Sequence, residues 1–431
     1  MITPTSPPRN SRHSDGILFL PRVLLLFART SYRADAFLLA ARRLGVDVTA
    51  GSNHRQVLAD LAPGSTLSVG VKDVDRSTAT IVRFASDYPL AAIVAAEDDF
   101  TPLAAAASEA LGLTHHPREA VRYARDKALM RKRLSAAGVS SPWFHVASLH
   151  DDPVGVASET VFPCVLKPLS LSASRGVIRA DAPDEFVRAW YRIRGILEEI
   201  DVAGRSEGVA AEILIEAYLP GREVVVEGIV AGGELLTLAI LDKPDPMEGP
   251  LFEETILVTP SRLPDGVQDD IVSFVRRCAA HLGLSDGPIH AELRVDADQV
   301  SLLEIGPRSI GGRCSAILRF DPEAALEELI LRHALGMPFH GFVREGGAAG
   351  VMMLPIPRGG VLRQVGGLEA ALEVPGIEGL EITITPGQTV VPLPEGNRYL
   401  GFLFARAETP DQVETALRVA HARMEVEVEP A

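Results

Sequence analysis

The sequence predicts a multidomain protein of mixed α/β and α+β class, and three observations carry that reading. Strand-like and helix-like patterns alternate as far as residue 116. From residue 117 a helical stretch gives way to a series of strand-like runs. Beyond residue 341 short strands and Gly/Pro turns dominate. A chain of 431 residues also exceeds what one hydrophobic core normally serves. The expected division is a disordered tail over 1–15 and a doubly wound parallel α/β domain over 16–116. An α+β module follows over 117–340, with a lobe at about 140–220, and a small β-rich domain closes the chain over 341–431.

Residues 1–15 are rich in Pro, Ser, Arg and Asn, a composition that cannot build a core. The most apolar stretch, "ILFLPRVLLLF" (17–27), is broken by Pro21 and Arg22 and is too short to span a bilayer. Arg22 also argues against a signal peptide. The stretch reads as the first buried strand, with Val23–Ala28 as a continuous apolar run suited to a parallel sheet. "RADAFLLAARRLG" is a helix stopped by Gly45, and "VDVTAG" is the next strand. "LAAIVAAEDD" is an apolar run ending in acidic residues. "TPLAAAASEALG" is a helix with Thr101 as N-cap and Pro102 in first position. Such alternation predicts a doubly wound parallel sheet. No G-x-G-x-x-G follows the first strand, so a dinucleotide site has no support there.

"PREAVRYARDKALMRKRLSAAG" reads as one long helix ended by Gly138, with Pro142 just beyond. Strand-like runs follow in "FPCVLKP", "AEILIEAYL" and "REVVVEGIVAGGELL". A helix near Asp184–Ile200 and a Gly/Ser-containing connection at 202–209 interrupt them. "VQDDIVSFVRRCAAHLG" is an amphipathic helix leading into "HAELRVDADQVSLLEIGPRSIGGR". The last region has turns such as "IPRGG", "VPGIEG" and "TPGQTV", then the helix "TPDQVETALRVAHARM".

A net charge of −15 disfavours a nucleic-acid or anionic-membrane partner, so an anionic ligand must meet a local basic pocket. Three scattered cysteines (Cys164, Cys278, Cys314) give neither a disulfide framework nor a zinc spacing, and suit a reducing cytoplasm.

Chemistry concentrates in "HAELRVDADQVSLLEIG". A three-residue loop (297–299) would set Asp296 opposite Val300 and Glu292 opposite Glu304. A four-residue loop would send the two glutamates to opposite faces. Two carboxylates about 5 Å apart repel unless cations lie between them. Oxygen-only ligands suit Mg²⁺ or Mn²⁺. A solvated sheet face with two unrelated glutamates is the alternative. His290 shares a face with Glu292 and is either its partner or a core histidine. Lys167 ends the apolar "FPCVLKP" as a point charge suited to a phosphate. "SLSASRGV" (170–177) offers hydroxyls and amides, with Ser172, Ser174 and Gly176 in it. Lys127 lies in "RDKALMR". In "EAYLPGREVVVEG", Glu216, Tyr218, Leu219 and Glu223 flank a Pro-Gly turn, where backbone and ring can take adenine and a carboxylate a ribose.

In this order the motifs resemble the ATP-grasp superfamily, and within it the carboxylate–amine ligases of the L-amino-acid-ligase type. The resemblance covers most of the chain: a pre-ATP-grasp domain, a split ATP-grasp module and a ligase-type C-terminal domain. It implies ATP with Mg²⁺ or Mn²⁺, Lys127 and Lys167 at phosphates, and the 170–177 loop over them. Glu216 and the Tyr218–Leu219 backbone are implied at adenine, and Glu223 at ribose. Glu292 and Glu304 are implied as metal ligands, and Arg308 with Lys167 as catalytic groups. The family usually reads Glu-x-Asn-x-Arg at the last site, whereas this chain has Gly306 in place of the Asn ligand. Lys243, Glu254, Gly311 and Gly312 are substrate-side candidates. The implied reaction is ATP-dependent amide formation through an acyl phosphate, in a cytoplasmic enzyme whose class suggests a homodimer. The rivals are an ATP-grasp carboligase of another branch and a non-catalytic nucleotide-binding protein.

Overall fold

The computed structural model describes residues 20–28, 31–54, 62–169, 171, 174–198, 212–297 and 299–430. The expected tail, Ser172 and the 202–209 connection lie outside the described residues.

Four parallel strands begin the fold, in the order Thr66–Ser68, Asp47–Ser52, Arg22–Leu26, Ala92–Ala95. Val23 and Leu25 pack with Phe37 and Ala41 of the helix Ala34–Leu44. Leu24 and Leu26 point the other way, against Ile81 of Val74–Asp87 and Leu103 of Thr101–Leu111. Helices therefore cover both faces, as expected. The helix at Thr101 follows directly on a 3₁₀ turn, Asp98–Phe100, which moves the N-cap from Thr101 to Phe100. The Thr101 hydroxyl instead donates to the Asp98 carbonyl at 2.8 Å.

The single long helix expected after residue 117 is two helices, Arg118–Arg125 and Lys127–Ala136. Asp126 breaks the run with an extended backbone (φ −104°, ψ 107°). Its carboxylate accepts from the Ala128 and Leu129 amides, each at 2.9 Å. An aspartate able to cap competes with helix continuation. Lys127 thus opens a new helix.

Two antiparallel sheets follow. The smaller has the order Phe144–Ser148, Glu212–Ala217, Cys164–Pro168, Ile178–Ala180, packed against the helices Pro153–Glu159 and Pro183–Glu198. The larger has eight strands. Five come from the middle of the chain: Gln299–Gly306, Gly287–Asp296, Arg222–Ala231, Glu234–Lys243 and Ile256–Thr259. The sheet then continues into Ala348–Leu354, Gly401–Ala407 and Ile377–Ile382. The β-rich C-terminal region is therefore built onto the central sheet. A three-stranded sheet (Thr389–Val390, Gly360–Gly366, Glu425–Glu429) and the helix Pro410–His421 complete it. Among the described residues no helix is long and apolar enough to cross a membrane.

Alternation divides the central sheet. Val224, Val226, Ile289, Ala291 and Leu293 pack against the helix Asp265–Leu282. Glu223, Val225, Glu227, His290, Glu292 and Arg294 take the opposite face, paired in register across two strands. That polar row is what the fold presents to the site.

His116 joins the first domain to this sheet. Its Nδ1 accepts from the Asp286 amide, which leaves the proton on Nε2 to donate to the Pro288 carbonyl, both at 3.2 Å. Burial pushes its pKa down to about 4, although the Pro288 carbonyl favours the charged form. The unfolded imidazole binds its proton near 6.5 and the folded one only near 4. The unfolded chain therefore holds more protons between those values, and stability falls as pH drops through that window. The loss from this group should be on the order of 3 kcal/mol. Urea unfolding at pH 7 and pH 4.5 should show it, and His116→Gln should shrink the difference between the two pH values.

Candidate active site

Glu292 and Glu304 do face each other, by a route the sequence reading did not anticipate. Asp296 pairs with Gln299, so two residues rather than three lie between the strands. That turn alone would set Glu292 opposite Leu303 and turn Glu304 away. A β-bulge shifts the register by one, from Leu293↔Leu302 to Glu292↔Glu304, and leaves Leu303 as the extra residue.

Arg131 holds the bulge. Its two terminal nitrogens donate to the Leu302 and Leu303 carbonyls, and its Nε to Glu216, all at 2.9 Å. The Arg131 side chain is 1% exposed. The other Glu216 oxygen pairs with the Lys167 ammonium. Burial works to raise the Glu216 pKa, but Arg131 and Lys167 outweigh it and hold it at about 2. Glu216 therefore fixes Lys167 in place. Lys127 lies 3.2 Å from Glu304 and donates to the Leu171 carbonyl at 3.0 Å.

Along the polar face, Glu223 pairs with Arg294 at 3.0 Å and with Lys243 at 2.5 Å. Lys243 also pairs with Glu254 and, at 3.2 Å, with Glu292. His290 bonds Glu227 through Nδ1 and faces Glu292 at 3.2 Å through Nε2, so it is the partner of Glu292. Burial opposes charge on His290, but Glu227 and Glu292 raise its pKa to about 9. Burial likewise opposes ionisation of Glu292, yet Lys243 and His290 keep its pKa well below the usual carboxylate range. Glu223, Glu254 and Glu292 bring ligand oxygens within 4.8 Å of one another. Carboxylate oxygens of this kind suit a hard divalent cation, although here the Lys243 ammonium pairs with all three.

The cavity measures about 370 Å³. At its Arg294 end Tyr218 and Phe252 stack at 6.5 Å, with Val165 and Met247 in the same cluster. Arg179 lies 4.0 Å over the Tyr218 ring. At the His290 end Ile310 donates its amide to Glu227 at 3.0 Å, and Tyr32 meets Phe402 edge-on at 5.6 Å. Met353, Cys314 and Tyr399 line the cavity there too. An anionic, charge-compensated row thus runs between two apolar ends.

Comparison with known proteins agrees with this layout. The profile of the ATP-grasp domain matches residues 160–317, and that of the ATP-grasp N-terminal domain matches 38–115. The profile of L-amino acid ligase C-terminal domain 2 matches 352–429. The chain thus carries ATP-grasp domains followed by an L-amino acid ligase C-terminal domain. The ATP-grasp chain is 27% identical over 312 residues to alanine–anticapsin ligase of Bacillus amyloliquefaciens, covering 68% of itself and 64% of that ligase. It thus spans just under two thirds of that relative. An uncharacterized protein of Sinorhizobium fredii, y4rH, is 25% identical over 423 residues, covering 95% of this chain and 84% of its own length. The crystal structure of L-amino acid ligase from Bacillus licheniformis shares the fold, with a TM-score of 0.78 at 21% identity over 95% of this chain and 99% of that one.

Within the ATP-grasp chain the cavity gathers Lys127, Lys167, Ser174, Glu216, Tyr218, Leu219 and Glu223. It also gathers Glu254, Glu292, Glu304, Arg308, Gly311 and Gly312. Two candidates stand off it. Gly176 turns with φ +71° against Pro168 and donates its amide to the Pro394 carbonyl at 3.1 Å. Lys243 is buried behind the carboxylates it neutralises. Sequence reasoning missed Arg131, four residues from Lys127 on the same helix face. It also missed Glu227 and Arg294, although the alternation that found Glu292 contains them. Arg131→Met should destabilise the protein by about 3–5 kcal/mol, because a buried carboxylate loses a charged partner and two carbonyls lose theirs. Arg133→Met, at an exposed site, should cost under about 1 kcal/mol by the same urea titration.

Proposed function

We propose that the chain is an ATP-dependent ligase that joins a carboxylate, here an amino acid or a close relative, to an amine and releases ADP and phosphate. The observation that carries this reading is the single cavity with two apolar ends and a charged row between them. Adenine fits the Tyr218 end, against the Phe252 stack and beside the Leu219 backbone. The Glu223 carboxylate retains lone pairs for ribose hydroxyls. Lys127 and Lys167 meet the phosphates, each already held by a carboxylate that sets its position. A divalent cation held by Glu292 and Glu304 would add neutralisation of the phosphate oxygens.

The substrate carboxylate oxygen attacks the γ-phosphorus, the bond to the β-phosphate oxygen breaks, and ADP leaves. Lys167 and Arg308 offset charge on the transferred group, and positioning does most of the work. The amine nitrogen then attacks the acyl carbon and phosphate departs, leaving an amide. Apolar walls at the Phe402 end keep water from the acyl phosphate. The name alanine–anticapsin ligase describes the same class of product in a relative. Free, buried cysteines accord with a reducing cytoplasm.

A phosphate-release matrix of amino acids, singly and in pairs, with ATP and Mg²⁺ tests the proposal. At least one pair should release phosphate and give a product lighter than its two substrates by one water in mass spectrometry. Glu304→Gln should lower kcat by about 100-fold or more. ATP cleavage without any condensed product would sink the ligase reading.

A further inference from the structure

The acidic end of "LAAIVAAEDD" enters this cavity from the first domain. Asp98 Oδ2 accepts from Arg308 Nε at 2.9 Å and lies 2.8 Å from its Nη2. The Asp98 side chain is 14% exposed and that of Arg308 11%. Asp98 Oδ1 also lies 3.4 Å from Arg125. The adjoining Ser309 is gripped from the same domain, because Arg33 donates to its hydroxyl at 2.5 Å and to its carbonyl at 3.3 Å. The loop bearing Arg308 is therefore held by the first domain at two successive residues.

Gly306 stands directly over this pair. A Cβ added at 306 would lie 3.6 Å from Asp98 Oδ1, 3.7 Å from Arg308 Cγ and 3.8 Å from Arg308 Cζ. A methyl fits at those distances, but any longer side chain occupies space the Asp98 carboxylate or the guanidinium now fills. One carboxylate oxygen held between Nε and Nη2 of the guanidinium, with Oδ1 tied to Arg125, limits the turning of that guanidinium as well as fixing its place.

We infer that Asp98 is a positioning residue for Arg308, and that the missing side chain at Gly306 is what admits this carboxylate from another domain. Position 306 and Asp98 are thus one matched pair, and the first domain is a working part of the site. The inference rests on the proposed ligase reading for Arg308's part in the reaction, but the Asp98–Arg308 geometry stands apart from it.

The experiment compares Asp98→Asn, Gly306→Ala, Gly306→Asn and the Asp98→Asn/Gly306→Asn double variant with the full chain. Readouts are phosphate release, ATP affinity by calorimetry, thermal midpoint and crystal structures. Asp98→Asn and Gly306→Asn should each lower kcat about 10- to 100-fold, with ATP affinity within about twofold and the midpoint within a few degrees. Gly306→Ala should lose less than Gly306→Asn, and the double variant should be no worse than either single one. Wild-type kcat in Asp98→Asn, a loss matched by a fall in thermal midpoint, or a gain of activity in Gly306→Asn would each overturn the pairing. The last would mean that position 306 lacks only a ligand. If no substrate pair supports turnover in the parent, the ligase reading fails by itself. The pairing is then judged by whether the Arg308 side chain leaves its place in the Asp98→Asn crystal structure, an unmoved side chain overturning it.

Discussion

One buried guanidinium organises the site. Arg131 ties a helix, a strand of the smaller sheet and the bulged edge of the larger one, through an ion pair with Glu216 and hydrogen bonds to two carbonyls. The three segments so tied lie far apart in sequence. Without a donor for the Leu302 and Leu303 carbonyls, the bulge would leave two carbonyl groups buried and unmet. Without the bulge, Glu304 would face away from Glu292. Without Glu216 against Arg131, Lys167 would lose its fixed partner. Lys167 and the facing pair Glu292 and Glu304 are therefore placed by the same contact.

Around that contact the charges are nearly balanced before any ligand arrives. Glu223, Glu227, Glu254 and Glu292 face Lys243, Arg294 and a charged His290. Like charges packed this closely on one sheet face would otherwise oppose folding. Built-in counter-ions let the cavity form empty, and Glu304 has its own in Lys127. The same economy holds at Arg308, whose countercharge is supplied by Asp98 from outside the sheet.

How much of this the sequence disclosed depended on the range of the determining contact. Local periodicity was enough for the alternating strands and helices of the first domain, although the pairing of Arg22–Leu26 with Ala92–Ala95 reaches across two strands and two helices. Alternation was enough to set Glu292 apart from Leu293. The pairing of Glu292 with Glu304 was anticipated, yet for the wrong loop length, since a bulge stabilised by Arg131 has no local signature. The break at Asp126 was legible in principle, as an acidic cap inside a helical pattern, but periodicity masked it. Asp98 was visible only as an acidic strand end. Its partner lies two hundred and ten residues away, and no spacing rule reaches that far.

The continuity of the eight-stranded sheet carries a consequence for how this chain can be cut or recombined. Ile256–Thr259 is buried along its whole length and pairs on its outer side with Ala348–Leu354. Removing everything after residue 341 would not detach a module at a linker. It would split a sheet down the middle and expose a bare, hydrophobic edge, a template for self-association. The C-terminal region is thus inseparable from the part that holds the carboxylates, and a chimera with a related chain has to take both halves of that sheet together.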